Sequence, residues 1–448
     1  MSRIRPDLFV IAAASVVLIF HPALSSGQGN RDENSRLDSK CLAFLSAGTV
    51  DGKVRLTCFK STPFFEATRK EEPNSVRLRV RRMELPDFRF GRDYAEYFDG
   101  LPWRDADVIF EGAIPALNNR KYEFTDDNVR PAQTYAYWVA TDREETPTGP
   151  VAVRVRDPRV WWSWEEIERR LNDLVARFPD VVEARVVGRT VHGRVLRALI
   201  AGRRDRVLVL VGSVHAGESG PELIIPAFEQ VLQEHGTLLK NVGFAILPCV
   251  NADQRERLAR GYPPYLRTNS SGVDLNRNFA AGWETVDYNY GLITTDPDGM
   301  TYRGPAPASE PETAAVMRAL EGLTPAAVLS YHHLASITGS TFLYPKAASA
   351  DSDYAARCRE LNRVYRAAMT PEDLKEKPVA AAAGCTGGSL PAWIYDNFNV
   401  PACDVEGDRS AICVRSALDT ATWDDLKQCQ ERHARAIVAL LTAMGEER

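Results

Sequence analysis

The sequence VLVLVGSVHAGE, residues 207–218, gives the clearest indication of the fold. Its first five residues are all apolar, as in a strand that is buried on both faces. Similar apolar runs and segments with helical spacing alternate downstream, at 222–233, 242–247, 310–320 and 326–329. Buried strands that alternate with helices predict an α/β fold, in which a mixed, largely parallel sheet is covered by helices.

A second folded region precedes this one. The chain has 448 residues, and between 54 and 157 short segments alternate apolar and polar side chains between Pro, Gly and Asn/Asp turns. This pattern is typical of an antiparallel β-sandwich. Pro131 to Tyr135 resembles the start of a tyrosine corner, and the region is similar to a fibronectin type III domain. We therefore predict a linker or leader over 28–53, a fibronectin type III-like β-sandwich over 54–157 and the α/β domain over 160–448.

Helix signals mark both ends of the α/β domain. Ser163 and Glu166 form a capping box, after which apolar residues recur at helical spacing until Pro179. A last helix is predicted over 423–444. The alanine run 380–383 lies between a proline and a glycine, so we predict a loop there.

Charge and the N-terminal segment narrow the function classes. The chain carries 55 Lys and Arg against 60 Asp and Glu, a net charge of −5, so we expect no nucleic-acid partner. Arg3 and Arg5 precede an apolar run from Leu8 to Phe20, which is too short to span a bilayer. The pattern is typical of a cleaved secretory signal, which we place over 1–27. An uncleaved N-terminal anchor is the alternative. We expect a secreted, periplasmic or extracellular protein without a membrane span after cleavage.

The cysteines fit this expectation of export. There are eight, and an even number in an exported protein indicates disulfides. Cys41 and Cys58 form the best single pair because both precede the α/β domain. The other six cannot be paired from sequence, and buried free thiols such as Cys249 are the alternative there.

A metal site is indicated at the end of the quoted strand. His215 and Glu218 follow it directly, and in open α/β sheets ligands bind beyond the carboxyl ends of the strands. Catalytic zinc sites use three protein ligands and leave the fourth position to water. His332 and His333 follow another predicted strand and are the candidates for the third ligand. Alternate residues of a strand share a face, so only one of the two can reach the ion.

Taken in order, these residues resemble the zinc metallocarboxypeptidases of the carboxypeptidase A and B kind. The likeness extends over about 162–443. The matching segments are His215-x-x-Glu218, Arg267, Asn276-Arg277, Tyr302-x-Gly304, Ser309 to Thr313, Ser330 to His332, Gly387-Gly388-Ser389 and Asp404-Val405-Glu406.

The resemblance implies one Zn²⁺ held by His215, Glu218 and His332. It also implies that Glu406 takes a proton from the zinc-bound water and passes it to the leaving amine. Arg267 would donate hydrogen bonds to the oxyanion of the tetrahedral intermediate.

The resemblance further implies a set of substrate-binding residues, Asn276, Arg277, Leu390 and Asp404. The first two would hold the terminal carboxylate, and the last two would line the pocket for the terminal side chain. A buried carboxylate needs a partner, so Asp404 favours a substrate that ends in Lys, Arg or a cell-wall diamino acid. An internal pair with Arg409 or Lys346 is the alternative.

The predicted function is that of an exported zinc metallocarboxypeptidase, which hydrolyses the C-terminal amide bond of a peptide substrate with zinc-activated water. One departure concerns Ala383, which stands near the position where digestive relatives carry a substrate-capping tyrosine. A cell-wall peptide amidase and an N-acyl amino acid deacylase are alternatives that would use the same site. A catalytically silent binding protein is a further alternative, although a binder would have no need of Glu406.

Overall fold

The computed structural model describes residues 41–62, 64, 75–86, 101–117, 120–218, 220–260, 267–289, 292–332, 341–369, 381–406 and 422–446. These residues belong to two compact units, Met1–Asp157 and Pro158–Arg448. The predicted signal segment 1–27 lies outside the described residues. Within the ranges given, none of the helices combines the length and the apolarity that crossing a bilayer requires.

The first unit is built from antiparallel sheets. Its described strands are β1 (Leu42–Val50), β2 (Lys53–Lys60), β3 (Ser75–Glu84), β4 (Asp107–Pro115), β5 (Lys121–Asp126), β6 (Thr134–Thr141) and β7 (Thr148–Arg154). One sheet has the order β1-β2-β5 and the other the order β4-β3-β6-β7. Val54 and Leu56 of the smaller sheet share one hydrophobic core with Leu78, Val80 and Tyr137 of the larger sheet. This arrangement follows from the period-two alternation in the sequence, because every second side chain of a strand points to the same face.

Two local expectations for this unit can be compared with the structure. The backbone N–H of Arg130 donates to the Tyr135 hydroxyl at 3.0 Å, which confirms the predicted contact of the tyrosine corner. The fibronectin type III identity of the unit stays a prediction. The predicted linker over 28–53 is wrong from Leu42 onward, because β1 occupies Leu42–Val50. Asp51 and Gly52 both have positive φ, 50° and 72°, which suits the tight turn of a β1–β2 hairpin.

The predicted disulfide between Cys41 and Cys58 is also wrong. Both thiols are free and buried. In the β1–β2 ladder Cys58 lies opposite Leu45, whereas the carbonyl of Cys41 accepts a hydrogen bond from Ser61 at the far end of the hairpin. The register therefore separates the two Cα atoms along the strands by more than a disulfide can bridge.

The second unit has the predicted α/β fold. Its strands are β8 (Val182–Arg189), β9 (Val195–Gly202), β10 (Val207–Gly212), β11 (Gly243–Leu247), β12 (Tyr288–Asn289), β13 (Leu292–Ile293), β14 (Pro325–Tyr331), β15 (Phe342–Pro345), β16 (Ala382–Cys385) and β17 (Ala402–Val405). Its α-helices are α1 (Trp164–Arg177), α2 (Pro221–Glu234), α3 (Ala252–Ala259), α4 (Pro311–Ala319), α5 (Ser352–Met369), α6 (Leu390–Phe398) and α7 (Trp423–Glu446). The described main sheet has eight strands in the order β16-β15-β17-β14-β10-β11-β9-β8. This confirms the mixed sheet, whose parallel centre is formed by β17, β14, β10 and β11.

Two details of the second unit differ from the sequence-based expectations. The Ser163 hydroxyl caps α1 by accepting from the Glu166 backbone N–H at 3.1 Å, as predicted. The Glu166 carboxylate, however, pairs with Arg169 and Arg170 rather than reaching back to Ser163. The predicted loop over 380–383 is partly a strand, because residues 382–385 pair in parallel with β15. That pairing depends on a partner some 40 residues away along the chain, which a local alanine run does not reveal.

The parallel centre of the sheet determines where the functional residues meet. β14 lies between β10 and β17, and the registers pair Gly212 with Tyr331 and Tyr331 with Val405. The three strands therefore end at one level. Residues that follow them, such as His332 and Glu406, emerge together at the carboxyl edge, which is where open α/β sheets bind ligands.

Candidate active site

Three predicted ligand residues converge beyond the ends of β10 and β14. His215, Glu218 and His332 are all buried, and one ligand atom from each lies within 4.8 Å of the others. The two histidine Nδ1 atoms are 3.2 Å apart. The carboxylate oxygens of Glu218 lie 3.0 Å from Nδ1 of His215 and 2.9 Å from Nδ1 of His332. The structure thus brings the whole predicted ligand set together.

Strand alternation places His332 in this set. The hydroxyl of Ser330 lies 3.0 Å from Nε2 of His332, so the two residues share one face of the strand end as expected. The backbone N–H of His332 donates to the carbonyl of Val405 at 2.8 Å, which continues the pairing with β17. His333, the other candidate, lies outside the described residues.

A buried arginine holds the loop that carries His215 and Glu218. Arg255 of α3 donates to the carbonyl of Trp162 at 2.9 Å and to the carbonyls of Ala216 and Glu218, each at 3.2 Å. It also forms an ion pair with the carboxylate of Glu222 in α2. Sequence reasoning missed this residue, because an arginine in a helical segment is usually exposed and nothing local indicates a buried one.

Asp274 orients the first histidine. Its Oδ1 lies 2.9 Å from Nε2 of His215, and its Oδ2 accepts from Nε of Arg267 at 2.8 Å. Burial by itself raises the pKa of Asp274, but Arg267 and His215 outweigh it and hold the pKa well below its usual range. A charged Asp274 requires Nε2 of His215 to carry the proton, which leaves the Nδ1 lone pair directed at the site.

This donor set fits a divalent zinc ion. Lone pairs of two imidazoles and a carboxylate face one another in a buried space, an arrangement that calls for a cation between them. Two nitrogens and one carboxylate are a known ligand combination of catalytic zinc sites. Burial raises the pKa of Glu218, but His215 and His332 outweigh this and lower it well below the usual value, so the carboxylate is available as an anionic ligand.

The predicted catalytic residue Glu406 lies one strand away. It follows β17 directly, is buried, and donates its backbone N–H to the carbonyl of Thr341 at 2.7 Å. Arg267, the predicted oxyanion donor, is buried beside Asp274 at 2.7 Å. Arg267 is thus linked to His215 through Asp274, and Glu406 follows the strand next to the one that leads to His332. Ala383 lies in β16 opposite Tyr344 and is partly exposed.

The predicted carboxylate-binding residues have well-defined surroundings. Asn276 donates from Nδ2 to Asp404 at 2.9 Å and accepts the backbone N–H of Leu390 at 3.0 Å. Arg277 is buried and its backbone packs against Gly388, which has a φ of +73°. A Cβ at Gly388 would lie 2.2 Å from the carbonyl oxygen of Arg277, so only glycine fits this turn.

The two predicted pocket residues have different environments from those expected. The side chain of Leu390 is fully buried in the hydrophobic core rather than lining an open pocket, because it begins α6 on that helix's inner face. Asp404 contacts His332, Asn276 and Cys385. Of its predicted internal partners, Lys346 is exposed and lines a cavity of about 330 Å³, and Arg409 lies outside the described residues. Asp404 therefore has internal partners, but they are not the predicted ones.

Comparison with known proteins agrees with this geometry. Residues 167–416, more than half of the chain, match the family model described as zinc carboxypeptidase. Mast cell carboxypeptidase A of Mus musculus is 26% identical over 267 residues, which cover 52% of this chain and 59% of that protein. Murein peptide amidase A of Escherichia coli K12 is 41% identical over 140 residues, or 30% of this chain and 50% of that protein. The chain thus matches only about half to three fifths of the length of these two relatives.

Among solved structures, carboxypeptidase A of Helicoverpa armigera has a similar fold, with a TM-score of 0.53 at 16% sequence identity, over 84% of this chain and 98% of that one. With His215, Glu218 and His332 in place and the family model matched across most of the second unit, the chain belongs to the zinc carboxypeptidase family.

Proposed function

We propose that the protein is an exported zinc-dependent metallocarboxypeptidase that hydrolyses the C-terminal amide bond of peptides. The observation that carries the proposal is the convergence of His215, Glu218 and His332 beside the end of β17, where Glu406 emerges. A binding protein needs no general base next to a metal site. A hydrolase does, because the proton of the attacking water must go to the leaving amine.

The roles of the residues follow from their chemistry. Zinc held by the three ligands would lower the pKa of a bound water to about 7 and polarise the substrate carbonyl. Glu406 would accept a proton from the attacking water at its carboxylate and would then donate it to the nitrogen of the leaving group. Arg267, which Asp274 holds in place through Nε and Nη2, donates to the developing oxyanion.

Arg277 supports the assignment to exopeptidases. A buried guanidinium next to Asn276 can bind a terminal carboxylate through two parallel hydrogen bonds. Nη1 of Arg277 donates to the carbonyl of Asn276 at 2.5 Å, which restrains where that guanidinium can lie. C-terminally amidated peptides lack the carboxylate that this guanidinium would bind, so we expect them to be poor substrates.

The test is hydrolysis of a peptide panel by the full chain, with and without a chelator. Wild type should release single C-terminal residues, and removal of the metal should abolish this. Glu406→Gln should bind about one zinc per chain and lose most turnover, because the amide cannot accept the proton. Glu165→Gln, an exposed carboxylate on α1, is the matched control and should be unaffected.

Two outcomes would contradict the proposal. Near-normal activity of Glu406→Gln would remove this residue from the mechanism. A zinc-loaded wild type that is inactive on every amide tried would favour the alternative of a catalytically silent binding protein.

A second candidate function is hydrolysis of a cell-wall peptide, and the 41% identity to murein peptide amidase A over 140 residues favours it. The same active-site chemistry would serve, since only the amide differs. An N-acyl amino acid deacylase remains a further alternative with the same site. A murein tripeptide and an N-acyl amino acid in the substrate panel distinguish these candidates by their relative kcat/KM.

Export is proposed on the sequence alone. The apolar run from Leu8 to Phe20 followed by small residues favours cleavage near residue 27. Mass spectrometry of the N-terminus after expression in a secreting host tests this. An intact N-terminus on a membrane-bound product would favour the anchor instead.

A further inference from the structure

Asp404 is a buried carboxylate with an unusual set of neighbours. It lies in β17, and its Oδ2 accepts a hydrogen bond from Nδ2 of Asn276 at 2.9 Å and from the thiol of Cys385 at 3.3 Å. Its Oδ1 has no hydrogen-bond partner of good geometry in the described part of the chain. That oxygen lies 3.3 Å from Nε2 of His332.

The sheet register explains this contact. Ser330 and Asp404 are paired residues of the parallel strands β14 and β17, so the Asp404 side chain lies on the face of the sheet that His332 also uses. Nε2 of His332 therefore has two oxygen neighbours, the Ser330 hydroxyl at 3.0 Å and the Asp404 carboxylate at 3.3 Å. Both can accept its single N–H.

We infer that Asp404 is a positioning residue for the zinc ligand His332, rather than a substrate-binding residue. It does for His332 what Asp274 does for His215. A carboxylate on the far nitrogen of a ligand imidazole keeps the proton there, turns the other nitrogen toward the metal and makes it a stronger donor. Each histidine of the site then has its own buried carboxylate, at 2.9 Å in one case and 3.3 Å in the other.

The surroundings of Asp404 favour this role over one in substrate binding. A specificity carboxylate must face the pocket and await a charged substrate, whereas Asp404 is buried and its Oδ2 already accepts a hydrogen bond from Asn276. The thiol of Cys385 lies 3.3 Å from the same oxygen and 3.0 Å from the carbonyl of Leu343, so it shares its one proton between the two. Asn276 is itself held, because its Oδ1 accepts the backbone N–H of Leu390 at 3.0 Å. The amide of Asn276 thus acts as a support for Asp404, in addition to any contact with substrate.

The inference rests on the zinc site and not on peptidase activity, so zinc affinity is the primary measurement. The full chain is stripped of metal, and zinc is titrated in competition with a chromophoric chelator. Asp404→Asn keeps the size of the side chain and can still accept the N–H but carries no charge, and it should bind zinc about 10- to 100-fold more weakly than wild type. Asp396→Asn, an exposed carboxylate on α6, is the matched control and should bind zinc like wild type.

Two further variants keep the test decisive if Asp404→Asn folds poorly. Asn276→Ala removes the 2.9 Å hydrogen bond to Asp404, together with the 3.5 Å contact between Nδ2 of Asn276 and Nε2 of His332, and it should also weaken zinc binding. Cys385→Ser retains a donor to Asp404 and should bind zinc within a few-fold of wild type. The visible spectrum of the cobalt-substituted protein should change for Asn276→Ala and stay the same for Cys385→Ser. A purely structural role would not produce this difference.

Three results would overturn the inference. The first is wild-type zinc affinity in Asp404→Asn. The second is a larger loss of affinity in Ser330→Ala, which would assign the positioning to the hydroxyl. The third is an unchanged zinc affinity combined with a raised KM for peptides ending in Lys, which would make Asp404 a specificity residue. A protein that binds zinc but hydrolyses nothing would refute the proposed function and leave this inference standing.

Discussion

Replacement of Arg255 by methionine is expected to destabilise the second unit strongly. Arg255 and Glu222 are both fully buried and form an ion pair, and Arg255 also donates to the carbonyls of Trp162, Ala216 and Glu218. Methionine fills similar volume but has no donor. Without Arg255, the carboxylate of Glu222 would still accept the backbone N–H of Trp162 at 3.0 Å, but its ion pair would be lost.

The magnitude follows from the burial of the pair. Removing one member of a buried ion pair costs about 3–5 kcal/mol, because the other charge remains without compensation. This corresponds to a shift of roughly 10²- to 10³-fold or more in the unfolding equilibrium, a large share of the 5–15 kcal/mol of a typical domain. Burial already raises the pKa of Glu222 with Arg255 present, so loss of the guanidinium should drive this carboxyl toward its protonated form.

The assay is urea unfolding of the full chain, followed by tryptophan fluorescence, with chelator present so that zinc binding does not add to stability. The double variant Arg255→Met/Glu222→Leu removes both charges and should recover part of the loss, since no charge is left buried. A loss below about 1 kcal/mol for Arg255→Met, or a double variant as unstable as the sum of its single variants, would refute the reasoning.

Three other substitutions give further tests. Gly388→Ala should lower the melting temperature and raise KM more than it changes zinc affinity, because the new Cβ would meet the carbonyl of Arg277 at 2.2 Å; an unchanged protein would show that the turn adjusts freely. His332→Ala should lose stoichiometric zinc in metal analysis, and retention of a full equivalent would exclude it as a ligand. Glu166→Gln should cost about 0.5 kcal/mol at pH 7. The hydrogen bond from Arg169 lowers the pKa of Glu166 in the folded state. The difference in unfolding free energy between wild type and Glu166→Gln is therefore present above the unfolded-state pKa of about 4.3 and should vanish as the pH falls through the folded-state pKa. A stability difference that persists at low pH in urea unfolding would contradict this.

Much of the catalytic unit could be predicted from sequence because its signals are local. The apolar run at 207–211 is typical of a doubly buried strand, and residues that follow a strand in an open sheet lie at its carboxyl edge. The same rule applies to His332 after β14 and to Glu406 after β17. His215 and Glu218 needed no tertiary information beyond this rule, because they lie three positions apart in one loop.

Local sequence patterns were less informative where the pairing of strands decided the structure. The strand β1 was missed because its alternation is weak, although Asp51-Gly52 is a recognisable hairpin turn. Cys41 and Cys58 were paired by position in the chain, but strand register decides which side chains lie opposite each other. A shift of a few residues along a ladder separates two thiols beyond reach, and no composition argument detects it.

The sequence by itself therefore determined the class of each unit and the edge of the sheet where the site forms, both of which depend on consecutive residues and their spacing. The resemblance to the zinc carboxypeptidases then identified His215, Glu218 and His332 as the zinc ligands. Only the tertiary structure decided the partners of the buried polar groups. Asp404 meets Asn276 across 128 positions of sequence, and Arg255 meets Glu222 across 33. A buried charge must find compensation, but any of several distant groups can supply it, so the choice is made when the chain packs.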